Sequence, residues 1–169
     1  MKRALARVAL PLALALLPAA PAGAQNVIAQ GGWEGFAMRD SANQFDRCAL
    51  YNRTIPALTA SPYEMLGLTR DAAGHVGMLI FLAPGKLTRG ETPVRLRLDE
   101  RPPATFTGEA LSDFHVNVPA LDAATLAALP GAKALEATVN GQTIRFDLDA
   151  VGPVLERLED CVRTYGPKR

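Results

Sequence analysis

Apolar and polar positions alternate most regularly in the C-terminal third of the chain. Residues 135–139 and 144–148 each place apolar side chains at every second position, a spacing typical of half-buried strands. The Asn140-Gly141 pair between them accepts the positive φ angles of a two-residue type I′ turn. Counting outward from that turn predicts the pairs Leu135–Phe146, Glu136–Arg145 and Ala137–Ile144. The turn and the hydrophobic pattern therefore predict the same hairpin and the same register.

The spacing changes after Asp149 to that of an amphipathic helix. Seven residues fall on one apolar stripe, and the charged residues lie away from it. The stripe consists of Val151, Val154, Leu155, Leu158, Cys161, Val162 and Tyr165. Asp149 is expected to cap the start of this helix, and Gly166-Pro167 is expected to end it.

Several further strand-like runs precede the hairpin and are separated by turn-rich segments. The expected strands are 33–38, 45–52, 63–70, 76–82, 94–98, 104–107 and 114–118. Residues 121–129 favour a short helix that ends at Pro130-Gly131. These elements predict an α+β fold that is mainly an antiparallel β sheet, arranged as a sandwich or a partly closed roll. A short helix and a C-terminal amphipathic helix would pack on the sheet.

The first 24 residues are typical of an export signal. Basic residues come first, an apolar run follows at 8–17, and small residues precede position 25. A membrane anchor is the alternative, but the apolar run is shorter than the roughly 20 residues that span a bilayer. We expect cleavage after Ala24, with 25–169 forming a single β-rich domain that is periplasmic or secreted and has no transmembrane segment.

The charge of the expected domain argues against one class of partner. Without the first 24 residues, 15 basic residues remain against 17 acidic ones, a net charge of −2. Proteins that bind nucleic acid usually present a strongly basic face. We therefore expect no nucleic-acid partner.

Cys48 and Cys161 are the only two cysteines of the chain. In an oxidising compartment such a pair predicts one disulfide, with free thiols or an intermolecular bond as the alternatives. No Cys-x-x-Cys motif is present, which argues against thiol-redox catalysis. Because Cys161 lies on the apolar stripe, the bond would fasten the last helix to the sheet from the inside.

Asp113 and His115 are the residues that best suggest catalysis or metal binding. They alternate within an expected strand, so they would share one face. A metal ion needs three or four ligands, and the chain supplies no further partner at a suitable spacing. His75 falls in a distant expected turn, and no serine lies in a Gly-x-Ser-x-Gly motif. We therefore predict no catalytic residues, no metal site and no cofactor.

Mixed charge is expected on the exposed side of the predicted strands. Arg95 and Arg97 alternate with apolar residues in one strand, and Glu136 and Arg145 do so in the hairpin. These four side chains and Trp33 form the candidate binding face. The alternatives are that the charges only keep the sheet soluble and that Trp33 packs into the core.

Three stretches of the chain carry a resemblance to known proteins. They are LIFLAPG at 79–85, VRLRLD at 94–99, and IRFDL at 144–148 leading into VLERL at 154–158. Together they resemble the invasion-associated locus B family of exported alphaproteobacterial proteins and related uncharacterised periplasmic proteins. The resemblance implies an envelope or secreted β-rich protein without known catalytic residues.

We therefore expect a non-catalytic exported protein that binds an envelope or host protein. One alternative is a small periplasmic ligand carrier with an apolar pocket between the sheet and the C-terminal helix. Another is a hydrolase that uses Asp113 and His115.

Overall fold

The structure is a computed structural model that describes residues 27–168. The expected export signal at 1–24 lies outside the described residues. The strands are β1 (Ile28–Gln30), β2 (Trp33–Arg39), β3 (Phe45–Tyr51), β4 (Met65–Asp71), β5 (Val76–Phe81), β6 (Gly90–Leu98), β7 (Ala104–Ala110), β8 (His115–Val118), β9 (Ala134–Val139) and β10 (Gln142–Asp147). The helices are α1 (Ile55–Ala60), α2 (Ala123–Ala128) and α3 (Val151–Tyr165), and a 3₁₀ turn at Leu129–Gly131 follows α2.

All of these strands belong to one antiparallel sheet. Its order is β1-β2-β3-β4-β5-β8-β7-β6-β9-β10, which leaves β1 and β10 at the two edges. The sheet does not close, because β1 pairs only with β2 and β10 only with β9. The predicted α+β class, with a C-terminal helix packed on an antiparallel sheet, is confirmed.

The hairpin of β9 and β10 has the predicted register. Leu135 lies opposite Phe146, and Glu136 lies opposite Arg145. Asn140 and Gly141 both have positive φ angles, 48° and 76°, as a type I′ turn requires. The sequence fixes this register because a shift by one residue would expose Leu135 and Phe146 and bury their charged neighbours.

One side of the sheet, here called the helix face, carries the main core. Alternate residues of the strands point to this side, among them Leu50, Leu68, Ile80 and Val94, all fully buried. The apolar stripe of α3 packs on the half of the sheet formed by β1 to β4. Fully burying one such aliphatic side chain contributes about 1.5–3 kcal/mol, so the buried residues of this interface stabilise the fold substantially.

The start of α3 differs from the prediction. The N-cap residue is Ala150, which has a left-handed φ of 57°, and no side chain caps the helix. The prediction that Asp149 caps this helix is therefore wrong. The backbone carbonyl of Asp149 instead accepts a hydrogen bond from Nε1 of Trp33 at 3.0 Å, which ties the helix start to β2. At the other end, α3 stops at Tyr165 and Gly166 is the C-cap, as expected.

A disulfide joins Cys48 of β3 to Cys161 of α3, with 6.2 Å between the two Cα atoms. Both residues are buried within the core cluster of the helix face. The bond therefore lies between the helix and the sheet, as the position of Cys161 on the apolar stripe predicted.

Two elements of the structure, β1 and α1, were not predicted from the sequence. β1 has only three residues and pairs with β2 across the Gly31-Gly32 turn. α1 has six residues, including a proline in its first turn. Elements this short carry less than two full periods of a hydrophobic pattern, so the pattern does not reveal them.

Loss of the disulfide should destabilise the protein and free α3 first. The bond closes a loop across 113 positions, which corresponds to about 4–5 kcal/mol in the chain-entropy model. We expect a loss of this order in urea unfolding of a Cys48→Ala/Cys161→Ala variant. Amide exchange should accelerate in α3 before it does in the β9–β10 hairpin. An unchanged unfolding midpoint, or simultaneous loss of protection in both elements, would contradict this prediction.

Candidate functional site

The side of the sheet opposite α3, here called the open face, carries the candidate site. The register places Arg97, Glu136 and Arg145 in one row across β6, β9 and β10. Arg95 lies in the next row, opposite Thr105 on one side and Thr138 on the other. These four charged residues form the arginine face, as the alternating pattern predicted.

Glu136 links two of the three arginines. Nη2 of Arg97 donates to Oε2 of Glu136 at 2.5 Å, and Nη1 of Arg145 lies 3.6 Å from Oε1. The hydrogen bond and charge of Arg97, reinforced by Arg145, hold the pKa of Glu136 below its ordinary value. Glu136 is therefore ionised at neutral pH. The arginine face contains three guanidinium groups and one carboxylate, and Glu100 adds a second negative charge near Arg97, so the positive charges remain in excess.

Trp33 does not belong to this face. It is 3% exposed and lies in the core cluster of the helix face, where its indole donates to the carbonyl of Asp149. Trp33 is therefore not part of the candidate binding face. It packs into the core, which was the alternative. The reason is positional, because Trp33 and Arg95 alternate onto opposite sides of the same sheet.

A second feature of the open face is a group of stacked and tilted rings on β2, β3, β5 and β8. We call it the aromatic cluster; its members are Phe36, Tyr51, Phe81, Phe114 and His115. Phe81 is central, with its ring centroid 6.1 Å from that of Tyr51 and 4.3 Å from that of His115.

A glycine makes room for the aromatic cluster. A Cβ atom at Gly67 would lie 2.9 Å from Cδ1 of Tyr51, so the ring rests directly on the backbone of β4. Burial raises the pKa of Tyr51 above its ordinary value.

The sequence analysis did not identify the aromatic cluster. One signal was available, since β5 is buried at all six positions and reads as an unbroken apolar run. Such a run indicates a strand covered on both faces. The cluster also depends on the pairing of β5 with β8, which brings Phe81 opposite His115 and which no local pattern reveals.

His115 is held in the neutral state by its surroundings. Its ring stacks on Phe81 with an interplanar angle of 11°, and its Nε2 is buried without a hydrogen-bond partner among the described residues. Burial, reinforced by the nearby positive charge of Arg47, lowers the pKa of His115 from 6.5 to about 4. Arg47 is itself fixed by hydrogen bonds to Asp46 and Asn117.

The relay between Asp113 and His115 that the hydrolase alternative requires does not form. β8 begins at His115, so Asp113 lies in the preceding loop and not on the same strand face. Oδ2 of Asp113 accepts a hydrogen bond from the backbone N–H of Gly85 at 2.9 Å, and its carbonyl accepts from Lys86 and Leu87. Asp113 thus organises a loop, and the structure gives the hydrolase alternative no support.

His75 lies far from His115 and has a local role. It closes the turn between β4 and β5 by pairing with Asp71, with 2.9 Å between Nδ1 and Oδ2. Within residues 27–168, no three side chains of His, Cys, Asp or Glu are grouped in a way that could hold a metal ion.

The space expected for a carrier's ligand is occupied by side chains. Between the sheet and α3, Val154 and Leu158 are fully buried against residues of the core cluster. A depression of about 480 Å³ lies between the end of α3 and the β4–β5 turn, where Arg70, Glu159 and Arg163 make its lining charged. Another of about 270 Å³ lies beside α2 and over Leu96 and Leu98 of β6. The position of the core therefore argues against the carrier alternative.

The fold and the disulfide define a class of α+β protein with one open antiparallel sheet and a terminal helix bonded to it. No family model and no curated protein matches the chain. Among solved structures, the chain is similar to invasion associated protein B from Bartonella henselae, with a TM-score of 0.54 and 17% sequence identity. The match covers 82% of this chain and 97% of that chain. The resemblance seen in the sequence is thus confirmed for the fold.

None of the helices found within residues 27–168 is long and apolar enough to cross a membrane.

The buried His115 predicts a loss of stability in mild acid. Its folded pKa of about 4 lies below the unfolded value of 6.5, so the unfolded chain binds the proton first as the pH falls. Stability should be complete above pH 6.5 and should fall by about 2–3 kcal/mol between pH 6.5 and 4. Urea unfolding across this range is the measurement.

A His115→Phe variant preserves a ring on Phe81 and removes the titrating group, so it should show a flatter pH dependence than the wild type. His75→Gln, which removes the exposed histidine that pairs with Asp71, is the comparison variant and should change the slope less than His115→Phe does. Equal slopes for the wild type and His115→Phe would contradict the assignment.

Proposed function

We propose that this protein is an exported, non-catalytic binding protein whose arginine face recognises an acidic surface of an envelope or host protein. The observation that carries the proposal is the row of Arg97, Glu136 and Arg145 beside Arg95 on a side of the sheet that α3 leaves uncovered. The three guanidinium groups there outnumber Glu136 and Glu100, the two carboxylates that act on Arg97.

The arginine face is suited to recognition because paired strands hold its backbone in place. Its residues lie on β6 and on the β9–β10 hairpin, where backbone pairing is continuous from Val94 to Leu98. The side chain of Arg95 makes no hydrogen bond or ion pair to any described residue, and its guanidinium is therefore available to a partner. Arginine presents several N–H donors in a plane that matches a carboxylate, so an acidic protein surface is the complementary partner.

Glu136 contributes to recognition by orienting its neighbours. It fixes Arg97 and Arg145 on either side of itself, which lowers the entropy that their long side chains lose on binding. Arg145 is still 63% exposed and Arg97 40%, so both can reach a partner while they remain near Glu136.

Export is supported by two independent features. The basic and apolar start of the chain is typical of a signal that is cleaved after Ala24, and the Cys48–Cys161 disulfide is suited to an oxidising compartment. The periplasm and the extracellular space both satisfy these conditions. A non-catalytic role fits the separation of Asp113 from His115.

The proposal predicts that partner binding depends on the three arginines. We expect Arg95→Gln/Arg97→Gln/Arg145→Gln to reduce retention of a specific envelope or host-surface protein from extracts at least about tenfold, which is about 1.4 kcal/mol. Retention by the wild type should weaken as salt rises, because exposed charge pairs are screened.

The control carries the same charge change on the other side of the molecule. Arg157→Gln/Arg163→Gln/Lys168→Gln alters α3 and the residues after it, and should retain the partner like the wild type. Circular dichroism and urea unfolding would establish that both triple variants fold. Equal loss of binding in the two variants, or a partner retained by neither the wild type nor the control, would contradict the proposal.

A further inference from the structure

β10 is an edge strand with unused backbone groups. In the two-residue hairpin, Gln142, Ile144 and Phe146 direct their backbone groups toward β9. Thr143, Arg145 and Asp147 therefore direct theirs away from the sheet. Within residues 27–168, the N–H groups of these three residues have no hydrogen-bond partner, and all three residues are exposed.

A groove of about 370 Å³ runs along the C-terminal part of this edge. The end of β10 forms one wall, and the turn between β1 and β2 forms another, with Asn52 and Glu64 from the loop after β3 completing the lining. The two edges of the sheet therefore approach each other here without pairing. The space between them offers an added strand both a backbone to pair with and a wall to rest against.

The groove is acidic. Glu64, Asp147 and Asp149 line it, and none of their carboxylates has an ion-pair partner among the described residues. Arg145, the cation of the groove, is already near Glu136. An occupant with lysine or arginine side chains would therefore be complementary to this end of the edge.

A second copy of the chain is the alternative occupant, but its β10 strand would bring only one cation, Arg145, to the groove. Antiparallel pairing of two β10 strands centred on Arg145 would place Arg145 opposite Arg145 of the other copy, whereas a register centred on Phe146 would place it opposite Asp147. Like charges directly opposite each other are destabilising, and charged residues on edge strands commonly prevent such pairing.

We propose that the free edge of β10 binds an extended, basic segment of a partner protein as an added strand. Backbone hydrogen bonds to Thr143, Arg145 and Asp147 would provide affinity, and the carboxylates of the groove would select basic side chains. This site goes beyond the arginine face, which it touches only at Arg145, and it selects the opposite charge.

The test uses two synthetic ten-residue peptides, one alternating valine with lysine and one alternating valine with glutamate. On the folded protein we expect the lysine peptide to slow amide exchange of Thr143, Arg145 and Asp147 about tenfold or more. The amides of Gln142, Ile144 and Phe146 serve as internal controls, because they already lie within the β9–β10 pairing.

Two variants of Thr143 distinguish the contribution of its backbone N–H to peptide binding from that of its side chain. Thr143→Pro removes an outward N–H at a position where an edge strand tolerates proline, and Thr143→Ala removes the same hydroxyl but keeps the N–H. The lysine peptide should bind Thr143→Pro at least about tenfold more weakly than Thr143→Ala. Asp147→Asn/Asp149→Asn should reduce the preference for the lysine peptide over the glutamate peptide.

The exchange measurement on the wild type decides the question even where a variant fails to fold. Binding that leaves the three outward amides unprotected would overturn the proposal, as would equal affinity for the two peptides. Protection of the same amides by self-association without peptide would assign the edge to a second copy instead. Neither result bears on the arginine triple variant, whose binding is read from a different assay.

Discussion

Because the Cys48–Cys161 disulfide joins the buried stripe of α3 to the core-facing side of β3, the helix cannot leave the sheet without breaking a covalent bond. The rest of the structure depends on this attachment. α3 covers the core of β1 to β4, and its start is fixed to β2 through Trp33 and the carbonyl of Asp149. The helix face of the sheet is therefore buried and stabilises the fold.

The open face, on the opposite side, carries two different groups of side chains. Near β3, β5 and β8, aromatic rings pack around Phe81 and keep His115 neutral. Near β6, β9 and β10, charge replaces apolar packing, and Glu136 organises two of the three arginines. A protein that stabilises itself from one face can expose rigid charged strands on the other. This division is the physical basis for the proposed binding role.

The sequence pattern correctly predicted the features that depend on residues close together in the chain. The register of the last hairpin followed from Asn140-Gly141 and alternation, and the same alternation identified four members of the arginine face. Asp113 does not share a strand face with His115, because β8 begins at His115, one residue after the expected start at 114. The aromatic cluster depends on the order β5-β8-β7-β6, a non-local pairing that single-strand patterns do not encode. The N-cap at Ala150 could not be predicted either, because no sequence signal marks an alanine with a left-handed backbone conformation.

Site-specific photo-crosslinking in living cells tests the division between the two faces most directly. A photoreactive amino acid at Thr105, an exposed residue opposite Arg95, would report contacts of the arginine face. The same amino acid at Glu156, exposed on α3, would report contacts of the helix side. The account predicts a discrete cross-linked partner from position 105 and none from position 156. A partner captured from position 156 alone would contradict it.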